Sequence, residues 1–153
     1  MDYAAPLKDM RFTLEQIAGL AELGQLRGLE NADPETVAAV LEEAAKFASG
    51  VLAPLNRGGD QHGAKVENGV VRTAPGFADA YRKFAEGGWN GMPFPEELGG
   101  GWMAWAVTLA AQEMVQSANL AFSLCPLLSQ GAIDGVMAHG TDEQKALYLP
   151  KMV

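Results

Sequence analysis

The chain has 153 residues, of which 48% are hydrophobic and 20% charged, and this composition suits one domain with a buried core. Its formal net charge of −8 argues against a nucleic-acid backbone or an anionic membrane surface as a partner. The single cysteine, Cys125, excludes an intrachain disulfide and favours a reducing compartment, so we expect a cytoplasmic protein.

Two helices are predicted in the first third of the chain. Thr13 and Gln16 have the spacing of a capping box, which predicts a helix over about 13–27. Asp33 precedes a proline and is a favourable N-cap, so a second helix should begin there and run to about residue 52. Pro54 should then end it, because proline removes a backbone donor and crowds the preceding turn.

The middle of the chain is predicted to alternate between loop and helix. Asn68 and Gly69 suit the tight turn of a small hairpin inside a loop that follows the second helix. A third helix is predicted over about 75–87, and Gly87 and Gly88 should end it. A second loop follows, rich in proline, glycine and large apolar residues.

Three further helices are predicted over about 103–117, 119–139 and 141–149. Gly140 suits a left-handed turn, Thr141 and Gln144 form a second capping box, and Pro150 should end the last helix. We find no alternating segments long enough for an extended sheet, so the sequence predicts an all-α, six-helix bundle-like domain.

Few side chains have the spacing of a catalytic or metal site. His62 and His139 each stand apart from other ligand residues, so no metal site is predicted. Cys125 has no basic neighbour and is expected to be a buried, inert thiol. Glu113 lies in an apolar helix and could be a buried general base, although a carboxylate that reaches solvent or a partner is the commoner arrangement. We assign no catalytic, cofactor-binding or metal-binding residue.

The fifth helix has an unusual interior. Pro126 should kink it, and its polar residues, among them Gln130 and Asp134, disfavour a membrane span. Gly131 and Gly135 lie four residues apart and would let another backbone or a ligand come close. Two interpretations are open: tight helix packing, the commoner one, or the wall of a slot for an apolar ligand.

Three stretches together resemble the N-terminal helical domain of the acyl-CoA dehydrogenase family. They are GGWNGMPFPEELGG, EMVQSANLAF and HGTDEQKALYLPKM, within residues 75–153. The opening MDYAAPLKDMRFTLEQI resembles the extra N-terminal segment of the longer branch of the family, which includes 3-methylmercaptopropionyl-CoA dehydrogenases. The resemblance implies an extension with one helix over 1–32 and the family's N-terminal helical domain over 33–153.

The resemblance also implies an activity, namely FAD-dependent α,β-dehydrogenation of an acyl-CoA thioester in fatty acid metabolism. In the family, the catalytic glutamate and most of the flavin site lie in a middle and a C-terminal domain, which this sequence lacks. We therefore expect the chain alone to be neither catalytic nor flavin-binding. The complete enzyme is expected to form a homo-oligomer and to pass electrons to an electron-transfer flavoprotein.

In the family, the helix before the Gly-Thr-x-x-Gln-Lys turn lines the acyl pocket. This implies that the substrate-binding residues are Ser123, Leu124, Leu127, Leu128 and Gly131. Pro126 departs from familiar members, which leaves the preferred acyl chain length open. An acyl-CoA oxidase or a nitroalkane-oxidase-like flavoenzyme would share the domain, and a stand-alone helical interaction module is the alternative outside the enzymes.

Overall fold

The computed structural model describes residues 3–26 and 29–153, and helices dominate both segments. The helices are α1 (Leu7–Phe12), α2 (Leu20–Leu23), α3 (Pro34–Phe47), α4 (Ala53–His62), α5 (Phe77–Glu86), α6 (Trp105–Ala118), α7 (Leu120–His139) and α8 (Asp142–Met152). Strands β1 (Lys65–Glu67) and β2 (Val70–Arg72) form a two-stranded hairpin. The all-α prediction is confirmed, and each of the six predicted helices has a counterpart.

The first helix begins earlier than predicted, and its predicted capping box is absent. α1 starts at Leu7 and continues through a π turn, Thr13–Ile17, so Thr13 lies inside a helical run. The Thr13 hydroxyl donates to the carbonyl of Asp9 at 2.9 Å instead of capping a helix start. Met10 and Leu14 are buried in the core, and their burial favours the longer helical run over a start at Thr13. The predicted end at residue 27 lies outside the described residues.

The second helix is capped as predicted but does not stop at Pro54. Asp33 Oδ1 accepts hydrogen bonds from the backbone nitrogens of Glu35 and Thr36 at 3.1 and 3.0 Å. A π turn, Ala48–Leu52, then joins α3 to α4 without a break. The wider turn lies directly before Pro54, where an ordinary helix would set the proline ring against the preceding carbonyls. The predicted end near residue 52 is therefore wrong, because the backbone widens around the proline instead of ending.

The predicted hairpin is present. Asn68 and Gly69 both have positive φ angles, 52° and 77°, which is the conformation that a two-residue turn of this kind requires. Val66 pairs with Val71, and all six strand residues are exposed. The hairpin therefore stands clear of the core.

The glycine-rich loop, residues 87–104, folds back on itself between α5 and α6. The backbone nitrogens of Met103 and Trp102 donate to the carbonyls of Met92 and Phe94 at 2.8 and 2.9 Å. Gly100 lies so close to the Phe94 backbone that a Cβ on it would stand 2.1 Å from the Phe94 carbonyl oxygen. The loop thereby buries Met92 and Phe94, which accounts for its large apolar content.

In the last two helices the predicted capping box is present, whereas the predictions for Gly140 and Pro150 are wrong. Thr141 and Gln144 form the predicted capping box, with reciprocal contacts of 3.2 and 2.9 Å. Gly140 is extended and not left-handed, although a Cβ there would stand 2.6 Å from the Val136 carbonyl oxygen. Pro150 lies inside α8 and does not end it. The last turn holds because Leu149 is buried and the Asn90 side chain donates to the Met152 carbonyl at 2.7 Å.

The core lies mainly between α3 and α6. Leu41, Val107 and Met114 are fully buried there, and each such side chain contributes about 1.5–3 kcal/mol to folding. A smaller cluster of Phe94, Ile133 and Leu149 joins the glycine-rich loop to α7 and α8.

Helix α7 is largely uncovered on one side. Leu120, Leu124 and Leu128 follow one another at intervals of four, and we call this exposed row the α7 outer face. Of the described helices, α7 alone is long and apolar enough to cross a membrane by those two criteria, and 28% of its apolar window is buried.

Candidate functional site

A narrow cleft lies between α6 and α7, with further walls from α5 and the glycine-rich loop, and its enclosed space of about 20 Å³ has room for one water molecule. Its apolar lining residues are aromatic, aliphatic and methionine side chains, and its polar lining residues are amides and hydroxyls. The lining consists of Phe84, Trp89, Met92, Thr108, Ala111, Gln112, Val115, Gln116, Ser123, Pro126, Leu127 and Gln130.

Helical spacing places the polar groups of the cleft. Gln112 and Gln116 lie four residues apart on α6, so they share the side of that helix that faces the cleft. Ser123, Leu127 and Gln130 recur at intervals of four and three on α7 and meet them from the opposite wall. The two helices join at Asn119, whose side chain accepts from the backbone nitrogen of Phe122 at 3.0 Å and so starts α7.

A chain of hydrogen bonds fixes the buried amides. Gln130 is only 4% exposed, and its Nε2 donates to the backbone carbonyl of Asn90 at 3.2 Å. The Oε1 of Gln130 accepts from Nε2 of Gln112 across the cleft. Within the described residues, Gln112 Oε1 and the Gln116 amide have no hydrogen-bond partner, so they are available to a ligand. The Ser123 hydroxyl instead donates to its own helix, to the carbonyl of Leu120 at 2.8 Å.

The cleft has the chemistry of a binding site. None of the described residues that line it carries an ionisable side chain, so they can hold and orient a molecule but cannot take a proton from it. Glu113 is exposed and lies outside the cleft, which removes the premise of a buried general base. Burial raises the pKa of the Tyr3 hydroxyl, and the nearby charge of Glu113 raises it further.

Two other candidate groups are also on the surface. Cys125 is exposed, so the expectation of a buried thiol is wrong; it lies on the open side of α7, which the described residues do not cover. His62 and His139 are exposed as well. The described part of the chain holds no group of three or more histidine, cysteine or carboxylate side chains placed to bind a metal ion.

The structure separates the five predicted substrate-binding residues into two sets. Ser123 and Leu127 line the cleft. Leu124 and Leu128 are 52% and 73% exposed on the α7 outer face, and Gly131 is exposed near them. A Cβ on Gly131 would meet no described atom within 4 Å, so this glycine does not serve tight packing within the described chain.

Sequence reasoning missed the three cleft glutamines, although part of the signal was present. The stretch QEMVQ places Gln112 and Gln116 at helical spacing in an otherwise apolar helix, a pattern typical of a shared polar surface. The role of Gln130 depends on Asn90, forty positions away in sequence, and no local pattern predicts that contact.

A wider groove of about 840 Å³ runs between α3 and the glycine-rich loop. Its walls include Val40, Phe47 and the backbone of residues 99–101. The charged side chains in its lining, Glu43 and Lys46, pair with each other at 2.6 Å. The groove therefore presents apolar contact area and backbone, and it lacks the ordered amide groups of the cleft.

Comparison with known proteins gives two matches. The sequence model of the family described as "Acyl-CoA dehydrogenase, N-terminal domain" matches residues 34–153, which include every residue of the cleft. The whole chain is 39% identical to the 3-methylmercaptopropionyl-CoA dehydrogenase of Ruegeria pomeroyi (strain ATCC 700808 / DSM 15171 / DSS-3) and spans 26% of that protein. This second match also includes residues 1–33, which the family model leaves out.

Proposed function

The chain belongs to the acyl-CoA dehydrogenase family, and from that membership we propose that it is the N-terminal domain of an FAD-dependent enzyme. The reaction is α,β-dehydrogenation of an acyl-CoA thioester. Residues 1–32 form an extension, and residues 33–153 form the domain that supplies one wall of the acyl pocket. The catalytic base belongs to the rest of the enzyme.

The cleft between α6 and α7 is the observation that carries this proposal. Its apolar lining suits contact with an acyl chain, since each buried methylene group is worth about 0.8 kcal/mol of binding. Its enclosed space of about 20 Å³ admits such a chain only when the lining side chains move apart. Its described lining has no ionisable group, which suits a pocket wall and not the proton-transfer apparatus. Ser123 and Leu127 belong to the cleft, and Leu124, Leu128 and Gly131 would meet the substrate only beside further parts of the enzyme.

FAD supplies the hydride acceptor when it is bound, and we assign its contacts to the rest of the enzyme. The glycine-rich loop does not fit a dinucleotide phosphate, because it follows α5 and no strand precedes it. The backbone nitrogens of Gly100 and Gly101 already donate to the carbonyls of Pro95 and Gly91, at 3.0 and 3.1 Å, so they do not offer free donors to a phosphate group.

The partners that we propose follow from the same membership. They are an acyl-CoA substrate, an electron-transfer flavoprotein as acceptor, and further copies of the enzyme in a homo-oligomer. The chain spans about a quarter of its relative, and we propose that protein, not lipid, covers the α7 outer face. Gln130 and Asp134 support this, because both would be costly at the centre of a membrane.

A substitution that fills the cleft tests the function. We expect Leu127→Trp in the complete enzyme to lower kcat/KM for long acyl-CoAs about 10- to 100-fold more than for short ones, because the larger ring takes the space of the chain end. The substrates are a straight-chain series together with 3-methylmercaptopropionyl-CoA, the thioester in the relative's name. Leu109→Trp is the control, since Leu109 is 56% exposed on α6 and lies outside the cleft.

The same substrate series on Gly131→Leu tests the outer set of residues. A loss confined to long chains would place Gly131 against the acyl group, whereas equal losses at every length, with a lower Tm, would make it a packing position. Failure of the complete enzyme to oxidise any acyl-CoA would contradict the proposed function itself.

A further inference from the structure

Asn90, in the glycine-rich loop, has one polar atom that the rest of the described chain does not use. The residue is only 8% exposed. Its Nδ2 donates to the Met152 carbonyl at 2.7 Å, and its backbone carbonyl accepts from Gln130 Nε2 at 3.2 Å. Its Oδ1 is buried and accepts no hydrogen bond from the described residues. A buried acceptor of this kind is costly, because it gives up water and gains no donor in return.

The orientation of the Asn90 amide is set by its partner. A backbone carbonyl can only accept, so the amide must turn its nitrogen, and not its oxygen, toward Met152. Exchanging the two atoms of the amide would place two acceptors against each other. Oδ1 is therefore held on the other side of the same amide, where only an N–H or O–H group can pair with it.

The end of α8 lies beside this oxygen. Met152, whose carbonyl Asn90 binds, is the last residue of α8, and Val153 follows it. Val153 packs against Gly91, the chain neighbour of Asn90, since a Cβ on Gly91 would stand 3.1 Å from Cγ1 and 3.6 Å from the carbonyl oxygen of Val153. Consecutive Cα atoms are about 3.8 Å apart, so a residue joined to Val153 begins beside Asn90.

We propose that Asn90 clamps the chain where it leaves α8. Its Nδ2 holds the Met152 carbonyl, and its Oδ1 accepts from the backbone nitrogen of one of the first two residues that follow Val153 in the complete enzyme. The chain spans only 26% of its relative, which favours a continuing chain as the source of this donor. The inference rests on the proposed function in one respect, namely that further domains follow this one.

The clamp makes Asn90 a positioning residue. The Met152 carbonyl is among the last four of α8, which find no partner inside the helix, and Asn90 supplies one from the loop. The backbone carbonyl of Asn90 also holds Gln130, which accepts from Gln112 across the cleft. One residue thus fixes both the wall of the cleft and the direction in which the chain leaves the domain. The next part of the enzyme is thereby placed relative to the cleft.

Amide hydrogen exchange in the complete enzyme tests the clamp. We expect one backbone N–H within the first two residues after Val153 to be protected in the wild type. Asn90→Leu, which keeps the size of the side chain and removes the amide, should speed its exchange about tenfold. The amides of α3 should exchange at unchanged rates in this variant. Asn56→Leu is the matched control, since Asn56 is exposed on α4, and it should leave both sets of amides unchanged.

The structure of the complete wild-type enzyme decides the question if Asn90→Leu does not fold. We expect Oδ1 of Asn90 to lie within about 3.2 Å of a backbone nitrogen in the two residues after Val153. An Oδ1 that is bound to water or to any other group contradicts the clamp.

The outcomes separate this inference from the function beneath it. Unprotected amides after Val153 in the wild type, or equal protection in Asn90→Leu, contradict the clamp and leave the function standing in an enzyme that oxidises acyl-CoA. An enzyme that shows the protection and oxidises no acyl-CoA contradicts the function and leaves the clamp. A native protein that ends at Val153 contradicts both.

Discussion

At the scale of single residues, glycines in this chain serve different purposes. Gly100 lies against backbone, where a Cβ would overlap the Phe94 carbonyl oxygen at 2.1 Å. Gly131 lies in the interior of α7, where a Cβ would meet no described atom within 4 Å. The first glycine is required by the fold of the loop, and the second is not required by the described part of the chain.

This contrast predicts opposite effects on stability. We expect Gly100→Ala to lower the free energy of unfolding by about 1–3 kcal/mol, because rigid backbone must move to admit the methyl group. Gly131→Ala should raise it by about 0.5–1 kcal/mol, as alanine does in a helix interior. Urea unfolding of the 153-residue chain measures both, and a destabilised Gly131→Ala would show that the helix needs this glycine.

Only one wall of the cleft could be predicted from the sequence. The predicted pocket residues came from one helix, α7, and the structure places two of the five in the cleft. The other wall comes from α6, and its approach to α7 depends on how both helices pack on the core. Such an approach has no local sequence pattern, so the spacing of Gln112 and Gln116 indicates a shared polar surface but not that α7 faces it.

At the scale of elements, helix starts were predicted better than helix ends. Asp33 and Thr141 act as caps because their side chains bond nearby backbone nitrogens, an interaction that short-range sequence determines. Pro54 and Pro150 were expected to end helices and lie inside them. In both cases packing close to the proline, of α4 against α7 and of the buried Leu149, offsets the lost hydrogen bond.

The two threonines that have capping-box spacing offer a direct test. We expect Thr141→Ala to destabilise the chain by about 1 kcal/mol, because it removes the hydroxyl oxygen that accepts from the backbone nitrogen of Gln144 at 3.2 Å. Thr13→Ala should be neutral or slightly stabilising, since Thr13 lies inside a helix where alanine is preferred. Thermal unfolding measures the change in stability of each variant. An equal loss of stability in both would mean that Thr13 also caps a helix.

At the scale of the whole molecule, the N-terminal segment is tied to α6. Tyr3 packs against the main core, and its hydroxyl is buried near Ser117 of α6. Burial of the ring, followed by the nearby charge of Glu113, raises the pKa of Tyr3 above its ordinary value of 10.0. The folded chain therefore holds this proton more tightly than the unfolded chain does.

Tyr3 should make the folded chain lose stability at alkaline pH. The contribution of the Tyr3 proton to stability is complete below pH 10.0 and is lost as the pH rises through the folded pKa. We expect Tyr3→Phe to reduce the fall of Tm above that pH, because phenylalanine has no proton to lose. Tyr148→Phe, at an exposed tyrosine of α8, is the control. Identical alkaline Tm profiles for wild type and Tyr3→Phe would contradict the assignment.

The hairpin has a practical consequence for anyone who handles this protein. Its six strand residues are exposed, and its turn at Asn68 and Gly69 supports no part of the core. Exposed loop tips of this kind accept added chain with little loss of stability. A fluorescent label or a short affinity tag placed between these two residues would therefore report on the domain without altering the cleft, which is built from residues 84–130.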